Sequence, residues 1–199
     1  MRLCIADIRG LLPRHSGMVA PERLEKAARY RMKPDRDRCI AAGVLLRLAL
    51  GDAPLRTGKY GKPETENGLC FNLSHSGDYV ILAVDDADVG CDIEQLRQIS
   101  ALRLGRHVFC ERELELLKNS TDRLGCYFRF WTKKEALLKC MGLGFHRDAR
   151  TVDVSRDIFR EDGDLYAMKT LCFSDYTISV CSKNKPADAE LEFIDLDKI

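Results

Sequence analysis

Residues 70 to 94 carry the reading of the fold. They run Cys70-Phe71-Asn72-Leu73-Ser74-His75-Ser76, then Gly77-Asp78, then Tyr79-Val80-Ile81-Leu82-Ala83-Val84, then the acidic stretch Asp85 to Asp88, then Val89-Gly90-Cys91-Asp92-Ile93-Glu94. Short apolar runs rich in β-branched and aromatic residues, bounded by Gly and Asp, are strand signals. Residues 70–73 are therefore expected as a short strand, and residues 79–94 as a β-hairpin. Outward from there the pattern changes period. Met1 to Ile8 reads as another strand. Pro21 opens a helical segment to Tyr30, because Pro suits a first helical turn. A second helix follows, capped by Asp35, with Cys39, Ala42, Gly43, Leu46 and Leu50 at helical spacing until Gly51. Further helices are predicted at about 111–118 and 121–142, and strands at 165–172, 176–181 and 190–196. Both halves run helices first and strands after. The expected fold class is α+β, with two pseudo-symmetric lobes at 1–97 and 98–199, each with helices packed on a small antiparallel sheet.

Composition limits the function classes. The 199 residues hold 32 Lys and Arg against 31 Asp and Glu, with 45% hydrophobic and 8% aromatic residues. Neither intrinsic disorder nor a generally basic nucleic-acid-coating surface fits that balance. No apolar run approaches the roughly 18 residues of a membrane span, and Asp7 falls where a signal peptide needs its apolar core. A cytoplasmic protein with no membrane or nucleic-acid partner is expected. Nine cysteines without a CxxC pair argue against a structural zinc site, and most stand among apolar neighbours as small hydrophobes.

Three places carry chemistry. Asp92 and Glu94 are two apart on a predicted strand, so both carboxylates project to one side beside Gly90 while Cys91 and Ile93 face the core. Such a pair suits a hard divalent cation, though taken alone the pattern is more often a solvated polar face at a strand end. On the helix of 121–142, Leu124, Tyr127, Phe128, Trp131 and Leu138 form an apolar stripe at 100° per residue, and Glu135 falls inside it. An inward carboxylate needs a partner or a metal; an ion pair with Lys139 one turn on competes as the explanation. His75 lies in Ser74-His75-Ser76, a composition that either donates to phosphate or simply makes a turn. Arg23, Lys26, Arg29 and Arg38, with Lys59 and Lys62 in the loop, form a basic set that is either solvated or binds an anion.

Phe71-Asn72-Leu73-Ser74-His75-Ser76, Val89-Gly90-Cys91-Asp92-Ile93-Glu94 and Phe130-Trp131-Thr132-Lys133-Lys134-Glu135-Ala136-Leu137-Leu138-Lys139, followed by Gly142-Leu143-Gly144, occur in that order. Together they resemble the 4′-phosphopantetheinyl transferases of the surfactin-synthetase-activating type, and Tyr60-Gly61-Lys62-Pro63 and the basic helix of Pro21 to Arg38 extend the likeness. The resemblance implies a two-lobed monomer that binds coenzyme A in the cleft between its lobes. It implies transfer of the phosphopantetheine arm to a serine of an acyl or peptidyl carrier protein, in fatty-acid or in nonribosomal-peptide or polyketide synthesis, with release of 3′,5′-ADP. By the same resemblance Asp92, Glu94 and Glu135 are magnesium ligands, Glu135 is also the general base, and Lys139 is the cation near the pyrophosphate. Ser74, His75, Lys62, Arg23, Lys26 and Arg38 are implied as coenzyme A contacts. The chain departs from the family at Cys39 and at Cys110, where a hydroxyl residue is common; at Cys110 a good helix cap is lost. A magnesium-dependent phosphohydrolase acting on a nucleotide and a non-catalytic binding module are the rival readings.

Overall fold

The computed structural model describes residues 1–57, 63–66, 68–142 and 147–199. In chain order the elements are β1 (Arg2–Asp7), α1 (Pro21–Ala28), α2 (Lys33–Leu50), β2 (Leu55–Thr57), β3 (Pro63–Thr65), β4 (Cys70–Ser76), β5 (Tyr79–Asp85), β6 (Val89–Gln95), α3 (Ala101–Val108), α4 (Glu111–Asn119), α5 (Arg123–Met141), β7 (Ile158–Glu161), β8 (Asp164–Phe173), β9 (Tyr176–Lys183) and β10 (Glu190–Ile194). The class is α+β.

Two four-stranded sheets carry the architecture, in the orders β10-β1-β5-β4 and β6-β9-β8-β7, and β2 pairs with β3 separately. Side-chain alternation explains the layers. On β5, Val80, Leu82 and Val84 pack with Ala41, Leu45 and Leu46 of α2 on one face. Ile81 and Ala83 turn the other way and pack with Leu3, Ile5, Val89, Cys91, Ile93, Ile178 and Val180. The second core thus lies between the two sheets, and β5 is covered on both faces, which is why it reads as an unbroken apolar run. A third core joins α5 to the far face of the second sheet through Leu137, Cys140, Met168 and Cys181. The layer order is α2, first sheet, second sheet, α5.

The hairpin expected over 79–94 does not form. β5 is flanked by β1 and β4 in ladder pairing, so neither of its edges is open, and β6 pairs with β9 instead. In the other direction β10 returns to pair parallel with β1, an exception to the antiparallel sheets expected. Sheet membership therefore crosses the expected 97/98 boundary both ways. The cap expected at Asp35 is also displaced: α2 begins at Lys33, and Asp35 accepts from Arg38 Nη2 at 2.5 Å inside the first turn. At α4 the Glu113 carboxylate accepts from the Cys110 N–H at 2.9 Å, the half of a capping box that the third helical residue supplies.

Gly90 sets the distance between β6 and α5. A Cβ there would stand 2.0 Å from the Ala136 carbonyl oxygen and 2.5 Å from the Cys140 nitrogen, so only glycine admits this approach. Buried hydroxyls complete the α5 contact: Thr132 Oγ1 donates to the Phe128 carbonyl at 2.9 Å and lies 2.8 Å from Ser179 Oγ, which lies 2.9 Å from Thr170 Oγ1.

Candidate active site

The period-2 reading of β6 is what the structure shows. Gly90, Asp92 and Glu94 share the face turned to α5, while Cys91 and Ile93 enter the core between the sheets. Because Gly90 lets the two backbones close up, Asp92 meets Lys139. The Lys139 ammonium donates to Asp92 Oδ1 at 2.6 Å and to the Cys91 carbonyl at 3.3 Å, and the Ser74 hydroxyl donates to the same Oδ1 at 2.8 Å. Asp92 Oδ2 is buried without a hydrogen-bond partner among the described residues. Burial pushes the Asp92 carboxyl above its ordinary range, and the Lys139 charge and the Ser74 hydroxyl only partly offset this. Burial pulls Lys139 down, but Asp92 foremost, then Cys91 and Glu135, outweigh it, so the side chain remains an ammonium.

Glu94 is held from both sides. Trp131 Nε1 donates to Oε1 at 3.3 Å and the Ser76 hydroxyl to Oε2 at 2.9 Å, with Arg97 3.6 Å from Oε2. Glu135, one turn beyond Trp131, is half-buried rather than enclosed. Burial raises its pKa; Lys139 opposes that, and Asp92 and Glu94 add to it, so the three carboxylates and Lys139 share one electrostatic neighbourhood. The charge that is enclosed in α5 is Lys134, one residue earlier. It donates to Glu113 Oε2 and to the Ala149 carbonyl, each at 2.8 Å, and to the Val152 carbonyl.

The carboxylates do not form a closed cage. Among the described residues, the one trio of His, Cys, Asp or Glu whose ligand atoms all lie within 4.8 Å of one another is Cys110, Glu113 and Asp153. The ammonium of Lys134 already pairs with the Glu113 carboxylate of that trio. Asp92, Glu94 and Glu135 stand wider; Asp92 is held by Lys139, and Glu94 by Ser76 and Trp131. They nevertheless fit a hard cation in chemistry, being all-oxygen donors, one with a buried oxygen left without a donor.

The anion-binding expectations divide. Arg38 Nη1 donates to the Gly77 carbonyl at 2.7 Å, tying α2 to the turn beside His75. The His75 ring is held below its ordinary pKa by desolvation first, then by the Arg38 and Lys139 charges, and Lys139 reaches the end of β4 through the Ser74 hydroxyl at 3.4 Å. Arg23 and Lys26 instead line an open groove of about 800 Å³ between α1, α2 and residues 50–55. Asp92, Glu94, Glu135 and Lys139 do not line that groove. Lys62 lies outside the described residues. Sequence reasoning missed Ser76 and Trp131 as polar partners of Glu94, and Asn72 as a partner of β6. The signal was present for Asn72, Ser74 and Ser76, which alternate along one face of β4.

Residues 88–181 match the sequence profile of the 4′-phosphopantetheinyl transferase superfamily. The chain is 32% identical over 143 residues to 4′-phosphopantetheinyl transferase Sfp of Bacillus subtilis (strain 168), covering 66% of this chain and 63% of that one. It is 35% identical over 137 residues to 4′-phosphopantetheinyl transferase psf-1 of Bacillus pumilus, covering 63% and 59%. With 4′-phosphopantetheinyl transferase ffp of Bacillus subtilis the identity is 28% over 204 residues, covering 91% and 89%. The chain thus spans about three fifths of the length of the first two relatives and nearly all of the third.

Proposed function

We propose that the chain, which matches the 4′-phosphopantetheinyl transferase superfamily over residues 88–181 and resembles two such transferases at 32% and 35% identity, transfers the 4′-phosphopantetheine arm of coenzyme A to a serine of an acyl or peptidyl carrier protein. The observation that carries the reading is the meeting of β6 and α5 over Gly90. It puts an ammonium, a buried carboxylate oxygen with no donor of its own, and a half-buried glutamate beside one another. Phosphoryl transfer asks a protein for little covalent chemistry and much charge neutralisation and positioning, and this set offers both.

In the proposed reaction the serine oxygen bonds to the phosphorus on the pantetheine side of the pyrophosphate, and the bond from that phosphorus to the bridging oxygen breaks. The bridging oxygen leaves with 3′,5′-ADP. Glu135 accepts the serine proton, since a neutral hydroxyl is a weak nucleophile and a carboxylate at the rim of the site is open to a carrier. Lys139 offsets charge gathering on the leaving phosphate. Asp92, Glu94 and Glu135 would hold a magnesium ion, which supplies further neutralisation of phosphoryl oxygens when bound. Arg38 from α2, with His75 and Ser74 from β4, is proposed to orient the nucleotide end, with Arg23, Lys26 and Lys62 as further contacts. The setting proposed is a cytoplasmic monomer with two lobes about residue 97, serving carriers of fatty-acid, nonribosomal-peptide or polyketide synthesis.

Intact-mass spectrometry of apo carrier proteins incubated with coenzyme A and magnesium tests the proposal. A gain of one phosphopantetheine on the carrier serine is expected. Breakdown of coenzyme A at the same rate without any carrier, and no mass gain with one, would instead identify a phosphohydrolase.

A further inference from the structure

β4 and β6 run side by side without a backbone ladder between them. Three β4 side chains take its place, each reaching the residue nineteen positions later. Asn72 Oδ1 accepts from the Cys91 N–H at 2.9 Å, Ser74 Oγ from the Ile93 N–H at 3.4 Å, and Ser76 Oγ from the Gln95 N–H at 3.1 Å. This constant offset locks the edge strands of the two sheets in step and satisfies the β6 amides that face away from β9. The two serines then have one hydroxyl proton each to spend. Ser74 directs its own onto Asp92 Oδ1 at 2.8 Å and Ser76 onto Glu94 Oε2 at 2.9 Å.

A serine that only covered a strand edge would leave its proton to solvent. Here the incoming amide at Gln95 fills one lone-pair direction of Ser76 and leaves the O–H aimed at the carboxylate. The opposite oxygen of Glu94 is fixed by Trp131 Nε1 at 3.3 Å. Glu94 is therefore pinned across the gap between the first sheet and α5, and its remaining lone pairs keep one direction. Arg97, 3.6 Å from Oε2, is the one full positive charge within salt-bridge range of Glu94 among the described residues. Groups that orient a metal-ligating carboxylate contribute to cation affinity almost as the ligands themselves do.

We propose that Ser76 is a positioning residue: its hydroxyl, braced by the Gln95 amide, sets the orientation in which Glu94 takes a divalent cation. This rests on the metal reading of Asp92, Glu94 and Glu135 given above. The test is a titration of the whole protein, with coenzyme A present, using Mn²⁺ as the probe read by electron paramagnetic resonance and by displacement with Mg²⁺. Ser76→Ala is expected to weaken Mn²⁺ binding about 10- to 100-fold, and Ser76→Thr, which restores the hydroxyl, to return it to within about threefold of wild type. In a Glu94→Gln background Ser76→Ala should cause no further loss, because its effect passes through that carboxylate.

Ser76→Ala also leaves the Gln95 amide without its acceptor, so Ser76→Cys, which keeps the volume and weakens the donor, is measured beside it with a thermal melt. A lowered melting temperature with unchanged Mn²⁺ affinity in the cysteine variant overturns the inference, as does an equal loss in the Glu94→Gln background. If the wild-type protein binds no Mn²⁺ at all, the metal reading itself fails, and the inference fails with it for that separate reason.

Discussion

Replacing Lys134 by methionine should be among the most destabilising single changes available in this protein. Lys134 and Glu113 are both 0% exposed, and the ammonium has three acceptors: Glu113 Oε2, and the carbonyls of Ala149 and Val152. Glu113 has two further donors, the N–H groups of Cys110 and Val154 at 2.9 and 2.7 Å. Removing the lysine leaves a buried carboxylate with amide donors but no counter-charge, a change that costs about 3 to 5 kcal/mol. For a chain of this size each kcal/mol lowers the melting temperature by roughly 2 to 4 °C, so the expected drop is about 6 to 20 °C. Adding Glu113→Gln removes the stranded charge while keeping a carbonyl oxygen for one of the two amides. The double variant should therefore be less destabilised than the sum of the singles by at least about 1 kcal/mol. Urea unfolding and thermal melts followed by circular dichroism give both numbers. A Lys134→Met variant within about 1 kcal/mol of wild type would refute the reasoning, since a charge pair that leaves no trace on removal is not buried.

Gly90→Ala should cost about 3 kcal/mol, at the upper end for overpacking, because its Cβ would meet backbone atoms of α5 rather than a side chain that can yield; a melting temperature within 2 °C of wild type, about half a kcal/mol, contradicts this. Lys139→Ala should slow carrier modification by orders of magnitude, and a loss below about threefold would leave the lysine a structural ion-pair partner. Burial raises the Asp85 carboxyl, but Lys185 at 2.7 Å and the Asp86 amide hold it down at about 2. A carboxyl depressed in the folded state stabilises above its unfolded pKa of 3.8 and loses that contribution as pH falls towards 2. Asp85→Asn should therefore remove about 1 kcal/mol at neutral pH, discounted for the partly exposed lysine, and the difference from wild type should vanish near pH 2. A difference that persists unchanged at pH 2 is the contrary result.

Much of the fold could be read along the chain because its signals were local. Periodicity marked α2 and α5, and alternation put Asp92 and Glu94 on one face. What escaped were matters of long-range pairing. The acidic stretch Asp85–Asp88 looks like a hairpin turn, yet both edges of β5 are occupied by β1 and β4, and nothing within residues 79–94 reveals this. α3, for which no helix is expected above, holds Gly105, a poor helix residue, in its middle; the value of that glycine lies in contact with Phe109 and Leu117, whose side chains a Cβ would approach to 2.9 and 3.0 Å. Helical periodicity singled out Glu135 as the inward charge, while the enclosed one is Lys134. α5 is covered on nearly all sides, so a single apolar stripe does not say which polar residue is inside; the partner of Lys134, Glu113, is on another helix. The polar partners of Glu94 were hidden likewise, since Ser76 reads as turn composition and Trp131 as core.

The most direct test of the central claim, that one carboxylate of α5 works with the β6 pair and Lys139 on the reacting serine, is the single-turnover rate of carrier modification by Glu135→Ala. The expected result is a fall of at least about 100-fold, in the range for losing a general base, with a melting temperature near wild type because Glu135 is only half-buried. Carrier modified at the wild-type rate by the same folded variant would contradict the account.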